Sequence, residues 1–438
     1  MRASISCITA AGLALASVGA VRADPALDYT IGLGVGHDDN VNLSHTDPVG
    51  ADMITPELTF DVKEQGAALS ANAAGSVSYL DYLGHSPYGD QFRGLVSGVG
   101  DWALSPERID WVAEDYLGRQ PINVLAPSTQ DNQQQTNVFS TGPTLRARFS
   151  EALRGRLDLR YTNTWADKNT TFDSNRWSGA GTLSFLLDAV NSVSASATGL
   201  RVRYREREAE PFDYDRNDLL FGYQRTTPIL KLDVDGGYSR LDLRGSGDRS
   251  GPALHANLHW TPSRATDLSV DVERRFSDAS EDLIIDPAEI AHVGIGSAHN
   301  GAVISPQLYV EKFVRLELDH SFTNVRVSVA PFWRQLDYIE STNLEDGDLS
   351  QHSTGYLASV AWQPHPTWTL AATTGRERRR YGDLGRTDDD ASVELGLIWQ
   401  RTSHWIWSLD YVHFDRDSTL SVASYSDNLV TLSLVYKR

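Results

Sequence analysis

The chain reads as an all-β protein, a single antiparallel up-and-down transmembrane β-barrel of about 18–20 strands. Three observations predict this. Apolar and polar side chains alternate with a period of two along most of the 438 residues, which is the signature of strands with one face in each environment. The alternating segments run ~9–11 residues, the length a tilted strand needs to cross a bilayer. Short turns alternate with long polar connections, as they do where one rim of a membrane barrel carries tight turns and the other carries loops.

Residues 391–415 show the repeating unit most cleanly. Val393, Leu395, Leu397 and Trp399 share one face, Glu394, Gly396 and Gln400 the other. After the polar connection 400–404 the pattern resumes with Trp405, Trp407, Leu409 and Tyr411 against Ser408 and Asp410. The tryptophans nearest the turn all belong to the apolar face, where an indole sits well at the level of lipid headgroups.

The same unit recurs in chain order. Tyr29, Ile31, Leu33 and Val35 open the series; Ile54, Leu58, Phe60, Val62 and Leu69, Ala71, Ala73, Val77, Tyr79 flank the turn 63–66. Phe92, Val96, Trp102, Leu104 and Ile109, Trp111, Ala113 flank 105–108, and Phe139, Leu145, Phe149 and Leu157, Leu159, Tyr161, Trp165 flank 150–155. Trp177, Leu183 and Phe185 precede Val193, Ala195 and Ala197, after which the phase slips near Gly199 to Leu200, Val202 and Tyr204, as at a β-bulge. Six further hairpin segments follow from Leu219 to Trp333, a pair turns at Pro364-His365-Pro366, and Val430, Leu432, Leu434 and Tyr436 close the chain. Long connections are expected at 37–53, 84–91, 120–136, 166–176, 205–218, 241–251, 277–312, 337–354, 376–390 and 415–427.

Residues 1–23 combine Arg2, an apolar run from Ile8 to Val21 and the small-residue site Val21-Arg22-Ala23, a secretory signal peptide with 24–438 as the barrel. Cys7 leaves with it. Without Arg2 and Arg22 the chain has 37 basic against 58 acidic side chains, a net charge of −21. Nucleic acid is excluded as a partner, because its phosphates would be repelled. No apolar run after Ala23 is long enough for a spanning helix, so a membrane must be crossed by strands.

A Lys or Arg on the lipid face at mid-depth costs about 2–4 kcal/mol. The strand charges avoid that cost: Glu57, Asp61, Lys63, Arg146, Arg148, Asp158, Arg160, Asp271, Glu273, Arg315, Glu317, Asp319, Glu394 and Asp410 all fall opposite the apolar stripe. A one-residue slip would turn nearly all of them to lipid. The candidate pore-lining residues are Arg146, Arg148, Arg160, Arg201 and Arg203 on the basic side, with Asp233, Asp235, Asp271, Glu273, Glu317 and Asp319 on the acidic side. Walls of opposite sign would set a transverse field across a pore and favour polar or charged solutes. The same groups pairing across neighbouring strands would instead fill the lumen.

No catalytic, cofactor or metal site is expected. His255 and His259 share the inner face but lie ~13 Å apart along a strand, too far for one zinc. Asp38, Asp39 and Asn40 form a loop that could hold calcium, though an ordinary solvated acidic turn accounts for them better. No G-x-S-x-G element is present. The connection 277–312 is unusually apolar; Asp286 before Pro287 would cap a short helix through Glu289 and His292, and the segment is expected to fold inward and narrow the lumen.

The opening strand running into GVGHDDNVNLS, the stretch NVFSTGPTLRARFSEALRGRLDLRYTNTWAD and the stretch LYVEKFVRLELDHSFTNVRVSVAPFWRQLDYIES resemble outer-membrane β-barrels associated with PEP-CTERM/exosortase and exopolysaccharide systems. The resemblance covers most of the mature chain. It implies a place in the outer membrane, surrounded by its lipid, and a conduit or docking role in exporting or retaining surface polysaccharide, beside exopolysaccharide export proteins and without a cofactor. One departure is the end: Tyr436 is followed by Lys437 and Arg438, where such barrels finish on an aromatic. A plugged barrel that anchors partners and a membrane-embedded enzyme acting on lipid or glycan are the alternatives.

Overall fold

The computed structural model describes residues 26–84, 86–245, 247–281, 283, 306–339 and 349–438. The expected signal peptide and the expected helix at 286–292 lie outside them. The described residues form twenty strands: β1 Ala26–Asp38, β2 Ala51–Gln65, β3 Leu69–Leu83, β4 Gln91–Ser105, β5 Ile109–Pro121, β6 Gln133–Arg148, β7 Leu153–Ala166, β8 Ser174–Leu186, β9 Asn191–Tyr204 and β10 Tyr214–Thr226. The series continues with β11 Leu230–Leu243, β12 Gly247–Ser263, β13 Thr266–Asp278, β14 Leu308–Ser321, β15 Val325–Tyr338, β16 Gln351–His365, β17 Trp368–Tyr381, β18 Arg386–Gln400, β19 Trp405–Ser418 and β20 Tyr425–Lys437. Each strand pairs antiparallel with its neighbours in sequence, and β1 pairs with β20 from Thr30↔Lys437 to Asp38↔Leu429. The sheet is therefore a closed barrel without a free edge, the strand solution to a solvent that leaves no backbone group unpaired.

The outward face is apolar all the way round. Ile31, Leu33, Leu58, Leu159, Leu183, Phe221, Leu316, Leu395 and Leu432 are each more than a third exposed, the condition of side chains meant for lipid. Eight of the eleven tryptophans (Trp102, Trp111, Trp260, Trp362, Trp368, Trp399, Trp405 and Trp407) stand near the short turns, and Trp165, Trp177 and Trp333 near the other rim. Two aromatic girdles bound the apolar belt, and the short turns mark their rim, which also holds both described chain ends, as the periplasmic one. Trp368 and Trp399, directly cross-strand, stack with centroids 5.4 Å apart. Asp115 is an exception to the charge rule: its register with Phe139 places it on the outer face, where Asn137 donates to it at 2.8 Å.

Three expectations change. The slip at Gly199 is absent: β8 and β9 keep one register from Ser174↔Tyr204 to Leu186↔Ser192. Val202 and Tyr204 are buried inside, and Arg201 and Arg203 point outward, Arg201 directly opposite Trp177. The reason is packing, since the apolar side chains at Leu200, Val202 and Tyr204 have an interior cluster to join and therefore do not seek lipid. The connections at 241–251 and 376–390 are mostly strand, β11–β12 turning within 244–246 and β17–β18 within 382–385. Their polar residues satisfy the ladder above the membrane, where alternation carries no hydrophobic signal.

Candidate functional site: the two mouths of the lumen

A barrel of sixteen to eighteen strands already encloses a water-filled channel. At twenty strands the side chains of the wall do not meet across the axis, so any obstruction must come from backbone folded inward. Among the described residues, two such pieces narrow the extracellular mouth.

The first is the top of the β13–β14 hairpin. Arg176 of β8 and Asp278 at the end of β13 form an ion pair at 2.7 Å with side chains only 5% and 1% exposed. Tyr214 of β10 donates its hydroxyl to the same carboxylate at 2.7 Å, and Ser280 donates to its other oxygen at 2.7 Å. Arg216 of β10 reaches Glu281 at 3.0 Å and donates to the Phe276 carbonyl at 2.7 Å. Phe276 and Leu308 pack with Val202, Tyr204, Tyr214, Leu241 and Leu243. Ala279 and Leu283 pack with Tyr116, Val138, Ala166 and Phe172 on the β5–β7 side. The end of β13 and the described residues just after it thus lean from their own wall onto β5–β10. The ladder permits this, because β12 and β13 stop pairing above Leu254↔Arg274.

The second piece is the connection 122–132 between β5 and β6. The Asn132 side-chain amide donates to the carbonyls of Asn123 and Pro127 at 2.7 and 3.0 Å, and its Oδ1 accepts from Asn123 N at 2.9 Å. So braced, the segment reaches the far side, where Arg386 of β18 donates to the Leu125 carbonyl at 2.6 Å and Val124 packs on Leu349. Arg386 is itself held by Asp388 at 2.8 Å, beside the buried pair Arg416–Asp390 at 2.6 Å. Nearby in the connection after β7, burial pushes the Asp173 carboxyl up, opposed by the hydrogen bond from Ala166 N and by the Arg205 guanidinium.

The periplasmic mouth is different. Arg146 and Arg148 of β6 face Arg156 and Arg154 of β7 in register, Arg146↔Arg156 and Arg148↔Arg154. Arg146 is paired with Asp110, and Arg156 with Asp158 at 2.7 Å. Arg160, higher on β7, is spent on Asp158 at 3.3 Å and on the Thr144 hydroxyl at 2.8 Å. Among the described residues no carboxylate lies within ion-pair distance of Arg148 or Arg154.

Of the acidic candidates, Asp233 and Asp235 of β11, Asp271 and Glu273 of β13, and Glu317 and Asp319 of β14 are on the inner face. Glu273 pairs with Arg275 at 3.0 Å, Glu317 with Arg315 at 2.9 Å and Asp319 with Arg326 at 3.2 Å. These strands lie about a third of the way round from β6–β7 rather than across from them. Glu394 of β18 and Asp410 of β19, also on the inner face, stand about as far from the arginines going the other way round the ring. Arg201 and Arg203 do not belong to the lumen; both pair with Asp215 on the outer face, at 3.2 and 2.8 Å. Sequence reading missed Arg176, Tyr214, Arg386 and Arg416, whose inward parity was legible; Asp278 and the Leu125 carbonyl lie strands away from Arg176, Tyr214 and Arg386, whereas Arg416 meets Asp390 on the adjacent strand. Asp38 and Asp39 are joined by Asp427 rather than Asn40 as neighbouring carboxylates at the β1–β20 seam.

No protein-family model matches the chain, and no curated protein matches it. Among solved structures it is similar to the ferric enterobactin receptor PfeA of Pseudomonas aeruginosa in a mutant form, at 10% identity and TM-score 0.49, covering 94% of this chain and 80% of that one. It is also similar to the siderophore receptor PirA of Pseudomonas aeruginosa, at 11% identity and TM-score 0.44 over 93% and 80% of the two chains. A loop-deleted OmpT, an outer-membrane protein of Vibrio cholerae, is similar at 10% identity and TM-score 0.35 over 95% and 100%. Each score is below 0.5, and the membrane assignment rests on the chain's own apolar belt and girdles.

Proposed function

We propose that the protein is an outer-membrane conduit for polar, charged solutes, set in a surface-polysaccharide export or retention system, with its extracellular mouth narrowed by its own inward-folded segments. The observation that carries this reading is the cross-section. Twenty strands enclose more space than side chains fill, charged side chains of β6, β7, β13, β14, β18 and β19 face the lumen, and among the described residues the inward-folded segments lie at one mouth. The polysaccharide setting rests on the resemblance of the three quoted stretches.

The alternative is a closed anchor, favoured by the buried Arg176–Asp278 pair, which makes the mouth a fixed structure. Reconstitution in planar bilayers separates the two. The conduit gives stepwise current at physiological salt; a silent membrane with correctly folded protein leaves the anchor. The export setting is tested by deleting the gene and measuring exopolysaccharide at the cell surface, where an unchanged amount removes it.

A further inference from the structure

The β6–β7 hairpin sets Arg146 against Arg156 and Arg148 against Arg154. Like charges directly opposite destabilise an antiparallel pair. Two of the four, Arg146 and Arg156, are compensated by Asp110 and Asp158. Arg148 and Arg154 are not, in a chain whose formal charge is −19. All four line a single hollow of about 560 Å³ with Glu107 and Ser184. Glu107 is the carboxylate among these lining residues, and no ion pair joins it to either free arginine. Two guanidinium groups that line one hollow without a counter-charge offer it several N–H donors, and a guanidinium binds a planar or tetrahedral oxyanion bidentately.

We propose that this hollow is an oxyanion-binding site at the periplasmic mouth, taking a phosphate or carboxylate group of a solute or polymer that arrives from the periplasm. An oxyanion between Arg148 and Arg154 removes the repulsion built into their register. It also explains why the basic groups sit at the entrance and not at the narrowed end. The direction of arrival rests on the conduit reading, whereas the binding site does not.

The test is binding measured apart from current. Purified full-length barrel in detergent is titrated calorimetrically with pyrophosphate and, separately, with trigalacturonate, at low and at physiological salt. The wild type binds at least one of the two probes, and the probe bound more tightly identifies the natural group. Arg148→Gln with Arg154→Gln weakens that binding by about tenfold or more, whereas Arg148→Lys with Arg154→Lys keeps most of it. Heat-modifiable migration confirms that each variant is folded. No binding of either probe by the wild type, or equal binding by the Gln variant, overturns the site. Binding in a protein that passes no current leaves the site standing and overturns the conduit instead.

Discussion

The two mouths of this barrel carry similar residues and use them in opposite ways. At the extracellular mouth arginine meets carboxylate out of water: Arg176 with Asp278 across strands far apart in sequence, Arg416 with Asp390 across the β18–β19 ladder, and Arg386 with Asp388 within β18. At the periplasmic mouth arginine meets arginine across adjacent strands and stays wet. Charge at the first is a fastener, since removing one member of a buried pair leaves the other desolvated and alone. Charge at the second is free to act on whatever passes.

The largest effect that would break this contrast is at Asp278. Asp278→Ala leaves Arg176 buried without a counter-charge, and the narrowed mouth should lose about 3–5 kcal/mol. The expected result is a lower thermal midpoint and a larger, noisier single-channel conductance; unchanged values of both would mean that the pair fastens nothing. Next in size, replacing residues 123–131 with a short glycine linker should raise conductance with little effect on barrel stability, because the segment adds no strand to the ladder. A conductance equal to that of the wild type would place the segment outside the path.

Smaller shifts sharpen the comparison. Arg148→Glu with Arg154→Glu should move the reversal potential in a salt gradient toward cation preference, and Arg201→Glu with Arg203→Glu should not, since that pair stands outside the lumen. Equal shifts would contradict the inward and outward assignments of β6–β7 and β9. The smallest expected effect is at Asn132, whose side chain braces 122–132; Asn132→Ala should cost about 1–2 kcal/mol locally, read as faster proteolysis of that segment with the barrel intact.

Much of this was written in the one-dimensional pattern. Leu395, Trp407, Leu316 and Phe221 point outward and Glu317, Asp271 and Arg146 inward by simple parity, because a period of two allows no intermediate answer when one side is lipid. At Gly199 strict parity holds and the expected slip does not occur: the apolar run Leu200, Val202 and Tyr204 reads as lipid contact but joins an interior cluster. Hydrophobicity alone does not distinguish oil from a protein core. It also failed at 241–251 and 376–390, where strands continue past the bilayer and both faces meet polar surroundings.

The sequence by itself determined a closed, lipid-facing cylinder of about twenty strands and the side on which nearly every strand charge lies. The tertiary structure alone decided which charges find partners. Arg176 and Asp278 are 102 positions apart, and Leu125 and Arg386 are 261 apart. Contacts of that reach depend on how hairpin tops bend across the lumen, which leaves no periodic trace in the chain.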